Sequence, residues 1–165
     1  MKGLIIYKSN YGSTEQYARW LSEETGYPST ALHSVETKDI ADSDTVILGC
    51  PVFANRPIIA GWIEKNWKLL GDKRLVLYTT SGTYPGDPQL QEGFTSAFRP
   101  EAAGRIKYFP QGGRMVNSEL SLLHKILMKL GRLMEKDPEV RVHMGEDVDR
   151  IDRKGLGPIV EYVSQ

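Results

Sequence analysis

The stretch Ser9-Asn10-Tyr11-Gly12-Ser13-Thr14 (SNYGST) lies between the apolar run Leu4-Ile5-Ile6-Tyr7 and a segment with helical spacing, EQYARWLSEETG. An apolar strand that ends in small polar residues and passes directly into a helix is the first half of a βαβ unit. Ser9, Ser13 and Thr14 offer hydroxyls, Asn10 an amide, and Gly12 a turn that a side chain would obstruct. Backbone N–H groups converge where a helix begins, and the helix dipole adds favourable potential for an anion there. Two readings stay open on this stretch alone. It is a phosphate cradle, or it is a plain turn with Ser13 or Thr14 as the helix N-cap. It lacks the Gly-Lys-Ser/Thr of a P-loop and has too few glycines for a dinucleotide fingerprint.

Outward from this stretch, apolar runs and helical patterns alternate. Strands are expected at 3–7, more weakly at 29–35, then at 45–49, 74–80 and 105–111. Helices are expected at 14–25 with Gly26 as the stop, at 57–69 with Pro57 in the first turn, and at 88–98, 118–134 and 156–163. Strand–helix alternation of this kind predicts an α/β fold: a five-stranded parallel sheet, order 2-1-3-4-5, with helices on both faces. No linker, repeat or low-complexity tract interrupts the 165 residues, so a single domain spanning 1–165 is expected. In such sheets a ligand sits outside the carboxyl ends of the strands, at the switch point. The decisive loops are therefore 8–13, 50–56 and 80–87.

Bulk properties narrow the function. The 21 basic and 21 acidic side chains cancel, which argues against nucleic acid as partner. No apolar run approaches the ~20 residues that span a bilayer. The N-terminus reads as lacking a secretory signal, and the lone Cys50 excludes an internal disulfide, so a cytoplasmic location is expected. Charge is uneven: residues 99–134 carry seven basic and two acidic side chains, a surplus of +5.

The pattern Ser-x-x-Gly-x-Thr directly after the first strand resembles the phosphate loop of flavodoxins, a standing example of the switch-point rule. With an FMN phosphate in the first loop, the flavin ring needs apolar faces and backbone groups from the other two. In the second loop, Pro51, Val52, Phe53, Ala54 and Asn55 supply them, with Val52 and Phe53 for ring contact and Asn55 for a polar edge. In the third, Thr80, Ser81, Gly82 and Thr83 approach closely, and Tyr84 is placed to stack.

A rival reading takes Cys50 and Arg56 as the Cys-x5-Arg of a phosphatase loop, with Cys50 as nucleophile. The absence of glycine, Pro51 without an N–H, and Pro57 after the arginine count against it. A phospho-receiver domain needs carboxylates after the first strand and an Asp after the third, where this chain has Lys8-Ser9 and Cys50.

The segment 118–134, SELSLLHKILMKLGRLM, forms an apolar arc of about 160° on a helical wheel, wider than the ~100° a helix needs to pack on a sheet. Core filling is the simplest expectation. A redox partner, a quinone or a membrane interface is the alternative, since Lys125, Lys129 and Arg132 lie along one edge. His124 reads as a surface residue with no metal partner.

Taken together, KGLIIYKSNYGST, VILGCPVFANRP and FPQGGRMVNSELSLLHKILMKL resemble the flavodoxin-domain proteins related to menaquinone-dependent protoporphyrinogen dehydrogenase. The resemblance implies FMN as cofactor, with the phosphate on Ser9 to Thr14 and the ring against Pro51 to Asn55 and Thr80 to Tyr84. It implies electron transfer or flavin-dependent redox chemistry, with a protein, small molecule or quinone as redox partner. Quinone-coupled oxidation of protoporphyrinogen is the alternative. The short 80–87 loop departs from the dehydrogenase's basic stretch there. The flavin would carry the electron chemistry, so no side chain is named as catalytic. A flavodoxin fold without flavin, serving as an interaction module, is the reading from another class.

Overall fold

The computed structural model describes residues 2–138, 141, 144 and 146–165. Five parallel strands form its central sheet. β1 (Gly3–Tyr7), β3 (Thr45–Phe53) and β5 (Arg74–Ser81) occupy the middle, with β2 (Ser29–Ala31) and β6 (Ile106–Gly112) outermost. The spatial order is β2-β1-β3-β5-β6, which is the expected 2-1-3-4-5 once a short hairpin strand, β4 (Arg56–Pro57), is set aside.

The central strands are apolar on both faces because both faces are covered. Leu4, Ile6, Val46, Leu48, Leu75 and Leu77 point to one side. There they meet Ile59, Ile63 and Leu70 from α3 (Ala60–Lys65), α4 (Trp67–Leu70) and their approach, and Phe94 of α5 (Pro88–Ala97). Ile5, Ile47, Val76 and Tyr78 point to the other side. They pack on Tyr17 and Leu21 of α1 (Ser13–Thr25) and on Ile159 and Val163 of the C-terminal helix α8 (Gly157–Ser164). Each such leucine or isoleucine removed from water contributes roughly 1.5–3 kcal/mol. Tyr17 also ties three elements together. Its hydroxyl donates to the Gly112 carbonyl at 2.9 Å and accepts from the Asp152 N–H at 2.9 Å. α2 (Thr37–Ala41), closed by a Glu36/Asp39 capping box, and α6 (Pro100–Arg105) complete the covering layers.

Four expectations need correction. The second strand is three residues long rather than spanning 29–35. The third does not stop at 49. It runs to Phe53 and folds back through Ala54 and Asn55, at φ 47° and 61°, into β4. Left-handed backbone at both central residues is what a two-residue type I′ hairpin requires. The expected helix 57–69 is therefore displaced, because Pro57 belongs to the hairpin. The helix starts at Ala60 and breaks at Asn66, whose side-chain amide donates to the Trp62 carbonyl at 2.9 Å. Lastly, the segment 118–134 is a 3₁₀ turn at Asn117–Glu119 followed by α7 (Leu122–Met134), which starts at a Ser121 N-cap.

α7 contributes no buried side chain, so it does not fill the core. Between β6 and α7, β7 (Arg114–Met115) pairs antiparallel with β8 (Val148–Asp149), carrying the chain across the carboxyl end of the sheet. No described helix is long and apolar enough to cross a membrane.

Candidate functional site

The strand order reverses between β1 and β3, and the loops leaving these strands open the crevice. The Lys8 N–H donates to the Gly49 carbonyl at 2.9 Å, holding the first loop against β3. The loop then closes on itself, with the Gly12 N–H donating to Ser9 Oγ at 3.1 Å. Gly12 sits at φ 89°, a left-handed conformation that costs other residues about 1–2 kcal/mol, and it is the N-cap of α1. No side chain caps this helix. Ser13 and Thr14 are its first two residues rather than its cap, so the turn reading that assigns them capping fails. The first-turn N–H groups have no intrahelical acceptor.

The buried hydroxyls are held by other loops. Thr14 Oγ1 and Thr80 Oγ1 share a hydrogen bond of 2.8 Å, linking the first loop to the third. One of the two donates and the other keeps a proton for a ligand. Ser13 Oγ accepts from the Arg114 N–H at 3.0 Å, linking the first loop to the turn after β6. Beneath, the hydroxyl of fully buried Tyr78 donates to the Thr14 carbonyl at 2.9 Å. Burial raises the Tyr78 phenol well above its ordinary range, so it stays protonated and donating.

These loops and α7 enclose a cavity of about 660 Å³. That is the scale of a small-molecule or cofactor site, ≈ 300–1,000 Å³. From the first loop Ser9, Asn10, Tyr11, Ser13 and Thr14 line it. From the second come Pro51, Val52, Phe53 and Ala54, and from the third Thr80, Ser81 and Gly82. Four expected residues do not line it. Gly12 serves the backbone turn. Asn55 is at the hairpin tip, against α5 at Gly93. Thr83 is absent from the lining, and Tyr84, 70% exposed, stands over Gly86.

Other lining residues went unforeseen. Gly113, Arg114 and Met115 enter because the chain turns back after β6, with the Gly113 N–H donating to the Ser81 carbonyl at 2.6 Å. The Gly112-Gly113 pair at a strand's end was the available signal. Lys8, Ile58 and Leu120 also line it, and from α7 Leu123, His124, Leu127 and Met128 form a roof. His124 is half-buried and turned into the site rather than outward. Its Nδ1 shares a short hydrogen bond with the Tyr11 hydroxyl, and its ring centroid lies 5.9 Å from that of Phe53. The Tyr11 hydroxyl also accepts from the Ser121 N–H at 3.3 Å, so the phosphate-type loop carries the first turn of the roof.

The charge balance favours an anion. Lys8 and Arg114 line the cavity, and no described carboxylate does. Arg114 is partly compensated by Glu119, at 2.9 and 3.2 Å, and by Asp149 at 3.9 Å. One end of the cavity thus offers hydroxyls and helix N–H groups, and the remainder offers flat apolar walls. Such a site suits a ligand with a phosphate at one end and an apolar body.

Cys50 takes no part. It is fully buried inside β3, and Arg56 lies across the hairpin, directed at the Ala97 carbonyl. Burial pushes the thiol from 9.0 up to about 12, so the thiolate that attack on phosphate needs is absent at neutral pH. Because the folded value lies above the unfolded one, the thiol's contribution to stability is complete below pH 9.0. It is lost as pH rises from there through about 12. At neutral pH, iodoacetamide should label Cys50 only in denaturant. Rapid labelling of native protein would contradict the burial.

The chain belongs to the flavodoxin domain family, whose model matches residues 4–141. Among solved structures, it is similar to two-electron reduced Megasphaera elsdenii flavodoxin, with TM-score 0.51 and 17% identity over 67% of this chain and 83% of that one. It is also similar to the Trp repressor binding protein from Bacillus subtilis, with TM-score 0.51 and 16% identity over 82% and 99% of the two chains. At these identities the likeness is one of fold. No curated protein matches the chain. The narrower resemblance to relatives of protoporphyrinogen dehydrogenase finds no support in these matches.

Proposed function

We propose that the protein binds one FMN non-covalently and acts in electron transfer or flavin-dependent redox chemistry. The observation that carries this is a single cavity joining the hydroxyl-lined start of α1 to the apolar β3–β4 hairpin at the switch point. The donor set fits the phosphate. Ser9, Asn10, Ser13 and Thr14 surround the helix N-terminus without capping it, and Lys8 adds positive charge. The apolar lining fits the ring, with Val52 and Phe53 from the second loop and Leu123 and Leu127 from α7. When bound, FMN supplies the electron-accepting group.

The chain's own work is then positional. The Thr14–Thr80 pair fixes the phosphate end relative to the third loop. The Tyr11–His124 hydrogen bond ties the first loop to α7 above the cavity. Membership in the flavodoxin domain family supports the reading, and Megasphaera elsdenii flavodoxin is itself described in a two-electron reduced form. Purified protein should absorb near ~370 and ~450 nm and release FMN on denaturation. Colourless protein that ignores added FMN would overturn the proposal in favour of a flavin-free interaction module.

A further inference from the structure

α7 has three faces, and the flavin-type cavity uses only one. Leu122, Ile126, Leu130 and Leu133 form a stripe that does not line that cavity and is 76%, 48%, 51% and 77% exposed. Beside it Lys125, Lys129 and Arg132 form a second stripe at i, i+4 and i+7. The two stripes meet in a separate groove of about 430 Å³ lined by all three cations together with Leu122 and Ile126, Lys125 also donating to the Ser118 carbonyl at 3.3 Å and Arg132 to the Arg141 carbonyl at 3.1 Å. α7 itself contains no Asp or Glu, and Glu119 just before it is engaged by Arg114.

We propose that this face docks on an anionic lipid bilayer, with the leucine stripe in the interfacial region and the three cations on lipid phosphates. The charge pattern selects this occupant. An apolar stripe flanked by cations on a helix too short and too charged to span is the pattern of a helix lying in the membrane–water interface. A second copy fits less well, because an isologous contact would set the same cations against themselves. The inference does not depend on the identity of the ligand under the roof, since no residue of either stripe lines that cavity and the two grooves share only Leu120 and Met128.

The test is co-sedimentation of the full chain with vesicles of phosphatidylcholine mixed with phosphatidylglycerol, and of phosphatidylcholine alone. Binding is expected only to the first, weakening as salt is added. The triple variant Lys125→Gln/Lys129→Gln/Arg132→Gln should lower partitioning on the order of a hundredfold. Ile126→Asn/Leu133→Asn should abolish most of the remainder. Circular dichroism should match wild type in both, because every substituted side chain is exposed. Absence of binding to anionic vesicles, equal binding to neutral ones, or binding unchanged in both variants would overturn the proposal. So would a concentration-dependent dimer that loses no apolar surface to lipid.

Discussion

Thr14→Asp should lower FMN affinity on the order of a thousandfold while leaving the fold intact. Thr14 is 1% exposed at the second position of α1, and its hydroxyl meets Thr80 at the centre of the proposed phosphate end. A carboxylate there keeps a favourable place for the helix, since acidic groups in a first turn complement the dipole. It also occupies the N–H groups that the phosphate would use. Two unit charges about 4 Å apart at an effective dielectric of ~20 repel by roughly 4 kcal/mol, which is about three decades in Kd. Thr14→Val removes one hydroxyl without adding charge, so it should cost only about tenfold. Flavin fluorescence titrations of the two variants read the difference. Equal, small losses would mean that the loop does not hold a phosphate.

Gly49→Ala should destabilise the protein by about 3 kcal/mol, at the upper end of overpacking effects. Ala normally replaces a strand Gly with a gain of roughly 0.5–1 kcal/mol, so the predicted sign is opposite to propensity. The reason is the Tyr78 ring, which lies over Gly49 where a Cβ would approach Cζ at 2.1 Å. Tyr78 is fully buried between α1 and the sheet, with a T-shaped contact to Tyr17, and has no free space to retreat into. Displacing it also pulls its hydroxyl from the Thr14 carbonyl, carrying the strain to the start of α1. In urea the midpoint should fall without a change in slope. Tyr78→Leu should offset part of the loss, giving less than additive destabilisation in the double variant. A neutral or stabilising Gly49→Ala would contradict the packing of the central strands.

Much of this architecture is readable from alternation alone. Leu4-Ile5-Ile6, Val46-Ile47-Leu48 and Leu75-Val76-Leu77 are apolar on both faces, which only a doubly covered parallel sheet explains. The order of the strands and the three loops at the switch point follow from it. The second loop was less readable. Its type I′ turn uses Ala54 and Asn55 without the usual glycine, so CPVFANR carries no hairpin signal, and Pro57 looks like a helix start.

α7 exposes a different limit. Hydrophobic periodicity tells which side chains share a face but not what that face meets. The same leucines suit a core, a cavity roof or a lipid surface, and here Leu123 and Leu127 line the cavity while Leu122, Ile126, Leu130 and Leu133 stand exposed outside it. His124 was misplaced for the same reason. Its partners, Tyr11 and Phe53, lie 113 and 71 positions away in sequence, and no local pattern links them. Tyr84, exposed and outside the cavity lining, shows a different point. An aromatic in the right loop is not an aromatic on the right side of it.

On the proposed reading, the start of α1 holds the phosphate of a flavin whose ring lies against the β3–β4 hairpin. Titrating the flavin-free protein with FMN and with riboflavin, which lacks the phosphate, tests it most directly. FMN should bind at one per chain and at least about a hundredfold more tightly than riboflavin, with the preference lost in Thr14→Asp. Equal affinity for the two flavins, or no affinity for either, would contradict it.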